Sequence, residues 1–306
     1  MEQQDLNAWT WPLQLTQTVH RDIYPLLEPS SPALSAAGKS VLITGVSGGV
    51  GKAIAEAWAI SGAAAIIITG RKTDVLNEVA AKLRSIPAAV HTKVVVQPAD
   101  LRSEAEVQTL WDTARAQVGL IDVLINDAGH MNMAPIGSMS PSDWWLDYEV
   151  NVKGPYLMIH HFLNQVRPDG ASSPRGTVIS LSTGAAGFSF PNMSSYISSK
   201  LATTRIMEIL HAEQPEVRAF TLVPGILRTA MTADVFFPFA LDDPMLSGGM
   251  SLLLSTSRAD WLSGSVVSVN WDIEEMEAHK EEILREGRTK LAYINAKLQK
   301  GGHPWE

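Results

Sequence analysis

From Val41 onward the chain alternates short, near-continuous apolar runs with longer stretches in which apolar residues recur every three or four positions. The runs are "VLIT" at 41–44, "AIIIT" at 65–69, "KVVVQ" at 93–97, "VLIN" at 123–126, "TVISLS" at 177–182, "RAFTLV" at 218–223 and "SVVSVN" at 265–270. Between them the spacing predicts helices at "AIAEAWAIS" (53–61), 75–84, 104–117, 144–165 and 196–213, and a charged helix over 273–298. Strands this apolar have no face to offer water, so they predict a parallel sheet covered by helices on both sides, a doubly wound α/β fold. Residues 1–37 follow neither period. They are rich in Pro and Ser and predict an extended arm, whose Trp9 and Trp11 are too apolar for a free tail and should pack across the domain or a partner subunit. The expected organisation is therefore an arm (1–37), a catalytic domain (38–272) and a C-terminal helical extension (273–306).

Composition narrows the function. Of 306 residues, 45% are apolar and 18% charged, which fits a folded domain rather than a disordered chain. A net charge of −8 with scattered Lys and Arg argues against a nucleic-acid partner, since phosphate binding needs a basic patch. Without a single Cys there is no disulfide, thiolate catalyst or Cys-ligated zinc, and a cytoplasmic location is the default expectation. The start, "MEQQDLNAWTWPLQL", lacks the basic, then apolar, pattern of an export signal. The most apolar window, 53–69, is broken by Glu56 and Ser61-Gly62 and falls short of the ~20 residues that span a bilayer, so no membrane partner is expected.

Three stretches carry candidate chemistry. "TGVSGGVG" (44–51) lies where the first strand runs into the first helix, and glycines there let a backbone approach a pyrophosphate seated on the helix N-terminus; a plain tight turn is the alternative. After the second strand, where an acidic residue would grip a ribose 2′-hydroxyl, stand Gly70-Arg71-Lys72, and Arg71 favours the 2′-phosphate of NADP despite the nearby Asp74. In "SSYISSK" (194–200), Tyr196 and Lys200 are four apart and share a helix face. An ammonium beside the phenol would lower its pKa from the usual ~10, although a solvated helix face has the same spacing.

In order and spacing the chain resembles the short-chain dehydrogenase/reductase family: "TGVSGGVG", "AD" at 99–100, "NDAG" at 126–129, "NVKG" from 151, "SLST" ahead of Tyr196 and Lys200, and "PGILRT" from 224. The arm and the tail beginning "NWDIEEMEAHKEEI" resemble a subgroup common in filamentous fungi and frequent among secondary-metabolite enzymes. The resemblance implies a Rossmann-type single domain that binds NADP through Gly45, Gly49 and Gly51 at the pyrophosphate, Asp100 at the adenine, Asn126 near the adenosine ribose, Lys200 on the nicotinamide ribose and Thr229 at the carboxamide. It extends the cofactor contact to Ser47, Val50, Leu101, Ala128, Gly129, Gly225, Ile226 and Tyr196. It also implies a tetrad of Asn151, a hydroxyl residue, Tyr196 and Lys200. Tyr196 is the general acid, Lys200 keeps the phenol acidic, and the Asn151 backbone carbonyl holds a water leading to bulk proton supply. No metal is implied.

Two positions depart from the family pattern. Asp127 stands where the family has a second Asn, and the substrate-holding hydroxyl falls on either Ser182 or Thr183, neighbours that a strand points in opposite directions. A substrate loop is expected at about 229–261, with Met231, Phe236, Phe237, Phe239 and Met245 as an apolar lid or a packed element, and Met131, Met133, Trp144 and Trp145 near the mouth. His160 and His161 have no spacing to further metal ligands and read as packing or surface residues. The expected activity is NADP(H)-dependent interconversion of a carbonyl and an alcohol on an apolar small molecule. A non-redox step on the same scaffold and a non-catalytic binding scaffold are the alternatives. Apolar stripes on more than one face of the 144–165 and 196–213 helices predict a homodimer or homotetramer.

Overall fold

The computed structural model describes residues 5–165 and 176–292. Seven strands form one parallel sheet: β1 (Ser40–Thr44), β2 (Ala65–Thr69), β3 (Lys93–Val96), β4 (Val123–Asn126), β5 (Gly176–Leu181), β6 (Val217–Val223) and β7 (Ser265–Ser268). Their order in the sheet is β3-β2-β1-β4-β5-β6-β7, so the winding reverses between β1 and β4. That reversal parts the loops at the carboxyl ends of the strands and opens the crevice in which such sheets bind ligands. The register Val41↔Val123, Leu42↔Leu124, Ile43↔Ile125 aligns the two central strands.

The strands divide their side chains between two cores by the period-2 rule. Val41, Ile43, Ile66, Ile68, Ile179, Leu181 and Phe220 enter one core, beneath α1 (Gly49–Ile60), α2 (Thr73–Arg84) and, further along the chain, Met245–Leu254. Leu42, Ile67, Leu124 and Val178 enter the other, which α3 (Glu104–Val118) and two of the helices that follow it, those carrying Met158 and Met207, help to fill. The helices after α3 are α4 (Pro141–Tyr148), a π-helical turn (Glu149–Lys153), α5 (Gly154–Leu163) and α6 (Ser194–Glu213).

Several elements differ from the sequence reading. The arm is not simply extended: it makes three 3-10 turns, at Trp11–Leu13, Pro25–Leu27 and Pro32–Leu34, each containing a proline. Leu27 and Leu34 are buried in the first core, each worth about 2 kcal/mol as an upper figure. Residues 245–254, expected within a substrate loop, form α7, buried over Leu246–Leu254 and packed on α1. Gly249 allows this, because a Cβ there would lie 2.0 Å from the Leu27 carbonyl oxygen. The closing helix is two short ones, α8 (Ile273–Ala278) and α9 (Lys280–Glu286), ended by Gly287 at φ 62°. The rest of the expected 273–298 helix is irregular to residue 292 and then lies outside the described residues.

Tyr156 on α5 and Leu201 and Ile209 on α6 remain exposed, so the arm does not cover these second apolar positions. Among the described residues no helix is long and apolar enough to cross a membrane.

Candidate active site

Thr44, the last residue of β1, ties the crevice together. Its hydroxyl accepts the Asp127 and Ala128 N–H groups at 3.1 and 3.0 Å, drawing the turn after β4 against the turn after β1. Gly45 makes the approach possible: at φ 76° a Cβ would sit 2.6 Å from the Ala128 nitrogen. Gly51, buried in α1, is needed for the same reason, since a Cβ would meet Asp127 Oδ2 at 2.6 Å.

A cavity of about 500 Å³ runs along these turns, lined by Gly45, Ser47, Gly49, Val50, Ala128 and Gly129 near the start of α1, and by Arg71, Lys72, Asp100 and Leu101 at its far end. Thr69, also in its wall, carries a buried hydroxyl without a partner among the described residues. Glycine backbone beside a helix N-terminus, two cations beyond it and a spare buried hydroxyl fit a dinucleotide. Asp100 is held well below the usual carboxylate range, chiefly by hydrogen bonds from Arg102. Two residues expected at the cofactor do not line either cavity of the crevice. Gly51 is a packing glycine, and Asn126 is buried with its Nδ2 donating to Ser180 at 3.3 Å.

A second cavity of about 490 Å³ shares Val50, Asp127, Gly129, Thr229 and Met231 with the first, so the two open into one another. Tyr196, Lys200, Thr183, Gly225 and Ile226 line it, together with Met131, Phe188, Phe190 and Phe236. The other apolar residues expected at the mouth lie elsewhere. Phe237 takes the Arg228 guanidinium 4.7 Å from its ring centre, Met245 packs in the first core, and Met133 and Trp145 are exposed. Trp144 stacks on Tyr148, and His161 stacks on Trp111.

The helix α6 presents two polar rows. On one, Tyr196 is hydrogen-bonded by the Thr183 hydroxyl, the Lys200 ammonium donates to the Leu181 carbonyl at 2.8 Å, and Thr204 and Ser182 bond each other at 3.0 Å. Both candidate hydroxyls line this cavity; Thr183 is the one that acts on the Tyr196 phenol, and Ser182 is engaged with Thr204. On the other row, Ser195 donates to Asp147 at 2.5 Å, Asn151 Nδ2 donates to Ser199 at 2.9 Å, and Thr203 donates to the Asn151 carbonyl at 2.6 Å. That carbonyl, expected to hold a water, thus already accepts a protein hydroxyl with one of its lone pairs. Asn151 sits in the π-turn and also exchanges two 2.8 Å hydrogen bonds with the His130 backbone. The fully buried Asp147 carboxylate accepts from Asn132 N–H and bonds His130 Nδ1 at 2.7 Å. Asp147, His130 and Ser195 went unnoticed in the sequence; the polar residues at four-residue spacing, 147/151 and 195/199/203, were the available signal.

Burial governs the charges. It pushes the Tyr196 phenol up to about 12, with the Asp127 and Asp147 carboxylates adding to the rise and Thr183 opposing it. It pushes Lys200 down to about 8, against the attraction of Asp127. Asp127 rises to about 7, despite Lys200 and a backbone hydrogen bond from Gly51. The expected lowering of the phenol by Lys200 is not among the causes of its shift, in which desolvation dominates and only Thr183 acts to lower it.

The short chain dehydrogenase family pattern matches residues 39–237. The short chain dehydrogenase mpl6 of Monascus purpureus is 30% identical over 94% of this chain and 97% of its own length. The short chain dehydrogenase andI of Emericella variicolor is 30% identical over 90% and 94%. A solved short-chain type dehydrogenase/reductase from Mycobacterium ulcerans superposes with a TM-score of 0.70 at 22% identity, over 82% of this chain and 98% of that one.

Asp127 gives a prediction with a definite sign. Its folded pKa is raised, so its contribution to stability is fully present below the unfolded value of about 4 and is lost as pH rises through about 7. Asp127→Asn should therefore melt with the parent protein near pH 4 and progressively above it as pH rises to about 8, read by thermal unfolding across pH. A difference that is constant, or that grows toward acid, would contradict the burial of this carboxyl.

Proposed function

The chain belongs to the short-chain dehydrogenase family, and on that premise we propose that it interconverts a carbonyl and an alcohol on an apolar small molecule, using NADP(H). The observation that carries this reading is the placing of Tyr196, Thr183 and Lys200 where a glycine-lined cavity meets an apolar one. Family members use a nicotinamide cofactor, which when bound supplies or accepts a hydride. The first cavity offers its residues to such a group, with Gly45, Ser47, Gly49 and Val50 at the phosphates, Asp100 and Leu101 toward the base, and Thr229 toward the junction.

The rest is work for this chain's own side chains. Tyr196 holds a proton at its phenol oxygen across the neutral range and delivers it to the substrate oxygen as general acid. Thr183, bonded to that phenol, positions it and offers a second hydrogen bond to the same substrate oxygen. Lys200, which donates to the Leu181 carbonyl and feels the attraction of Asp127, lines the same cavity as Tyr196 and is the group that would return a proton to the site. Asn151 fixes the His130 turn and, through Ser199 and Thr203, the seat of α6. The apolar walls exclude water and favour an organic substrate over a sugar.

For the cofactor, Gly70 at the end of β2 leaves no carboxylate for a 2′-hydroxyl, while Arg71 and Lys72 face the same end of the cavity. Arg71→Ala should weaken NADPH by at least about tenfold and NADH little, measured by titration, because only NADPH offers a phosphate to the guanidinium. Equal losses would remove Arg71 as the discriminator.

The catalytic assignment is tested by three variants followed by oxidation of NADPH against a panel of apolar ketones. Tyr196→Phe should lose at least about a hundredfold in kcat with NADPH still bound. Thr183→Val should lose on the order of tenfold or more in kcat. Ser182→Ala should stay within about threefold, losing only its bond to Thr204. A Ser182→Ala loss larger than that of Thr183→Val would reverse the assignment, and near-normal turnover by Tyr196→Phe would refute the redox reading.

A further inference from the structure

The outer wall of the apolar cavity comes from a segment ahead of the family match. Trp9, Thr10, Pro12, Leu13 and Gln14 line it, whereas the family pattern begins at residue 39. Leu13 rests on Gly184, one residue past the Thr183 hydroxyl. A Cβ at Gly184 would come within 2.0 Å of Leu13 Cδ1, so a glycine is what lets the arm down onto the catalytic turn. Trp9 meets Phe190, Phe236 and Phe239 with ring centres 5.2, 5.8 and 6.2 Å apart, the last two edge-on. These contacts leave 40% of Trp9 uncovered.

The arm is fastened at this place. Arg21 donates to Asn7 at 2.5 Å, to Thr10 at 2.7 Å and to the buried Asp242 carboxylate at 2.8 Å. Asp242 also accepts the Ile226 N–H at 2.5 Å and Asn270 Nδ2 at 2.7 Å, joining the arm to the loop that lines the catalytic cavity. Trp271 Nε1 donates to the Leu13 carbonyl at 2.7 Å, and the Glu275 carboxylate accepts the Gln17 and Thr18 N–H groups. So many directional bonds, several of them partly buried and most of them to the charged groups of Arg21, Asp242 and Glu275, describe a built wall of the site rather than a loose tail.

We propose that Trp9 and Leu13 are specificity-determining residues that select a substrate with an aromatic or fused-ring body attached to its carbonyl. Tyr196, Thr183, Ser182 and Lys200 give the cavity a polar side, and Trp9, Leu13, Phe188, Phe190 and Phe236 give it an aromatic and aliphatic one, with Thr10 and Gln14 of the arm also in its lining. A ligand with one polar end and a flat apolar body matches that division, and a ring can lie against the uncovered indole. A small aliphatic ketone could meet Tyr196 and Thr183 and leave Trp9 and Leu13 untouched. The inference rests on the carbonyl reading of the site for the reaction, but not for the binding.

Trp11 provides the control within the same turn. It does not line the cavity, and its Nε1 donates outward to Asp5 at 2.8 Å. Binding of 2-acetylnaphthalene to the full chain, measured by calorimetric titration, should weaken about five- to tenfold in Trp9→Ala, the scale of a lost aromatic contact, and stay within about twofold in Trp11→Ala. Leu13→Ala should behave as Trp9→Ala does and answers the question if that variant does not fold. Equal weakening by the Trp9 and Trp11 variants would show that the arm merely packs, and overturn the proposal. Failure of the parent protein to bind 2-acetylnaphthalene would overturn the ring-bearing class. Binding that depends on Trp9 without NADPH oxidation would uphold the wall and refute the redox reading instead.

Discussion

The two polar rows on α6 fix the rotation at which Tyr196 and Lys200 meet the end of β5. Ser195, Ser199 and Thr203 lock to Asp147 and Asn151 on one side, and Tyr196, Lys200 and Thr204 lock to Thr183, Leu181 and Ser182 on the other. Positions four apart stack along a helix, and the two rows are offset by one residue, about 100° around the axis. Turning α6 by one residue would strand several of these groups in a buried interface, each at a cost of about 1–3 kcal/mol. Apolar packing alone would tolerate more slippage. Tyr196 and Lys200 are held by the need to satisfy hydrogen bonds next to them.

The same burial sets the chemistry. A phenol and a carboxyl that have lost water rise in pKa, and an ammonium in the same place falls. Lys200 and Asp127 partly compensate each other, so the site keeps little net charge with which to draw a proton off Tyr196. The result suits an acid that gives up its proton to a nascent alkoxide more than a base that has lost it beforehand.

Much of this was legible in the sequence. The seven apolar runs became the seven strands, since buried parallel strands have few polar positions to confuse them. The glycine-rich turn and the Tyr196–Lys200 spacing could be placed because local geometry dictates both. Other features depended on contacts distant along the chain. The difference between Ser182 and Thr183 rests on Thr204, 22 residues past Ser182, which bonds only the first of them. α7 reads like a loop because its glycines and serines face α1 and the arm rather than water. The arm has no period of its own, and its structure is imposed by Arg21, Asp242 and Trp271 across more than 200 residues of sequence. The acidity of the phenol was not legible either, because burial, its dominant cause, is not written in a four-residue spacing.

The central claim is that burial, more than the neighbouring ammonium, sets the acidity of Tyr196. The chain has five tyrosines, and labelling them with carbon-13 at the ring carbon bearing the hydroxyl gives five signals, with Tyr196 identified by its loss in Tyr196→Phe. In a pH titration of the full chain the Tyr196 signal should hold its neutral position through about pH 10, in keeping with a phenol pushed up to about 12. A midpoint near or below about pH 8 would mean that Lys200 dominates the phenol after all, and would contradict the account.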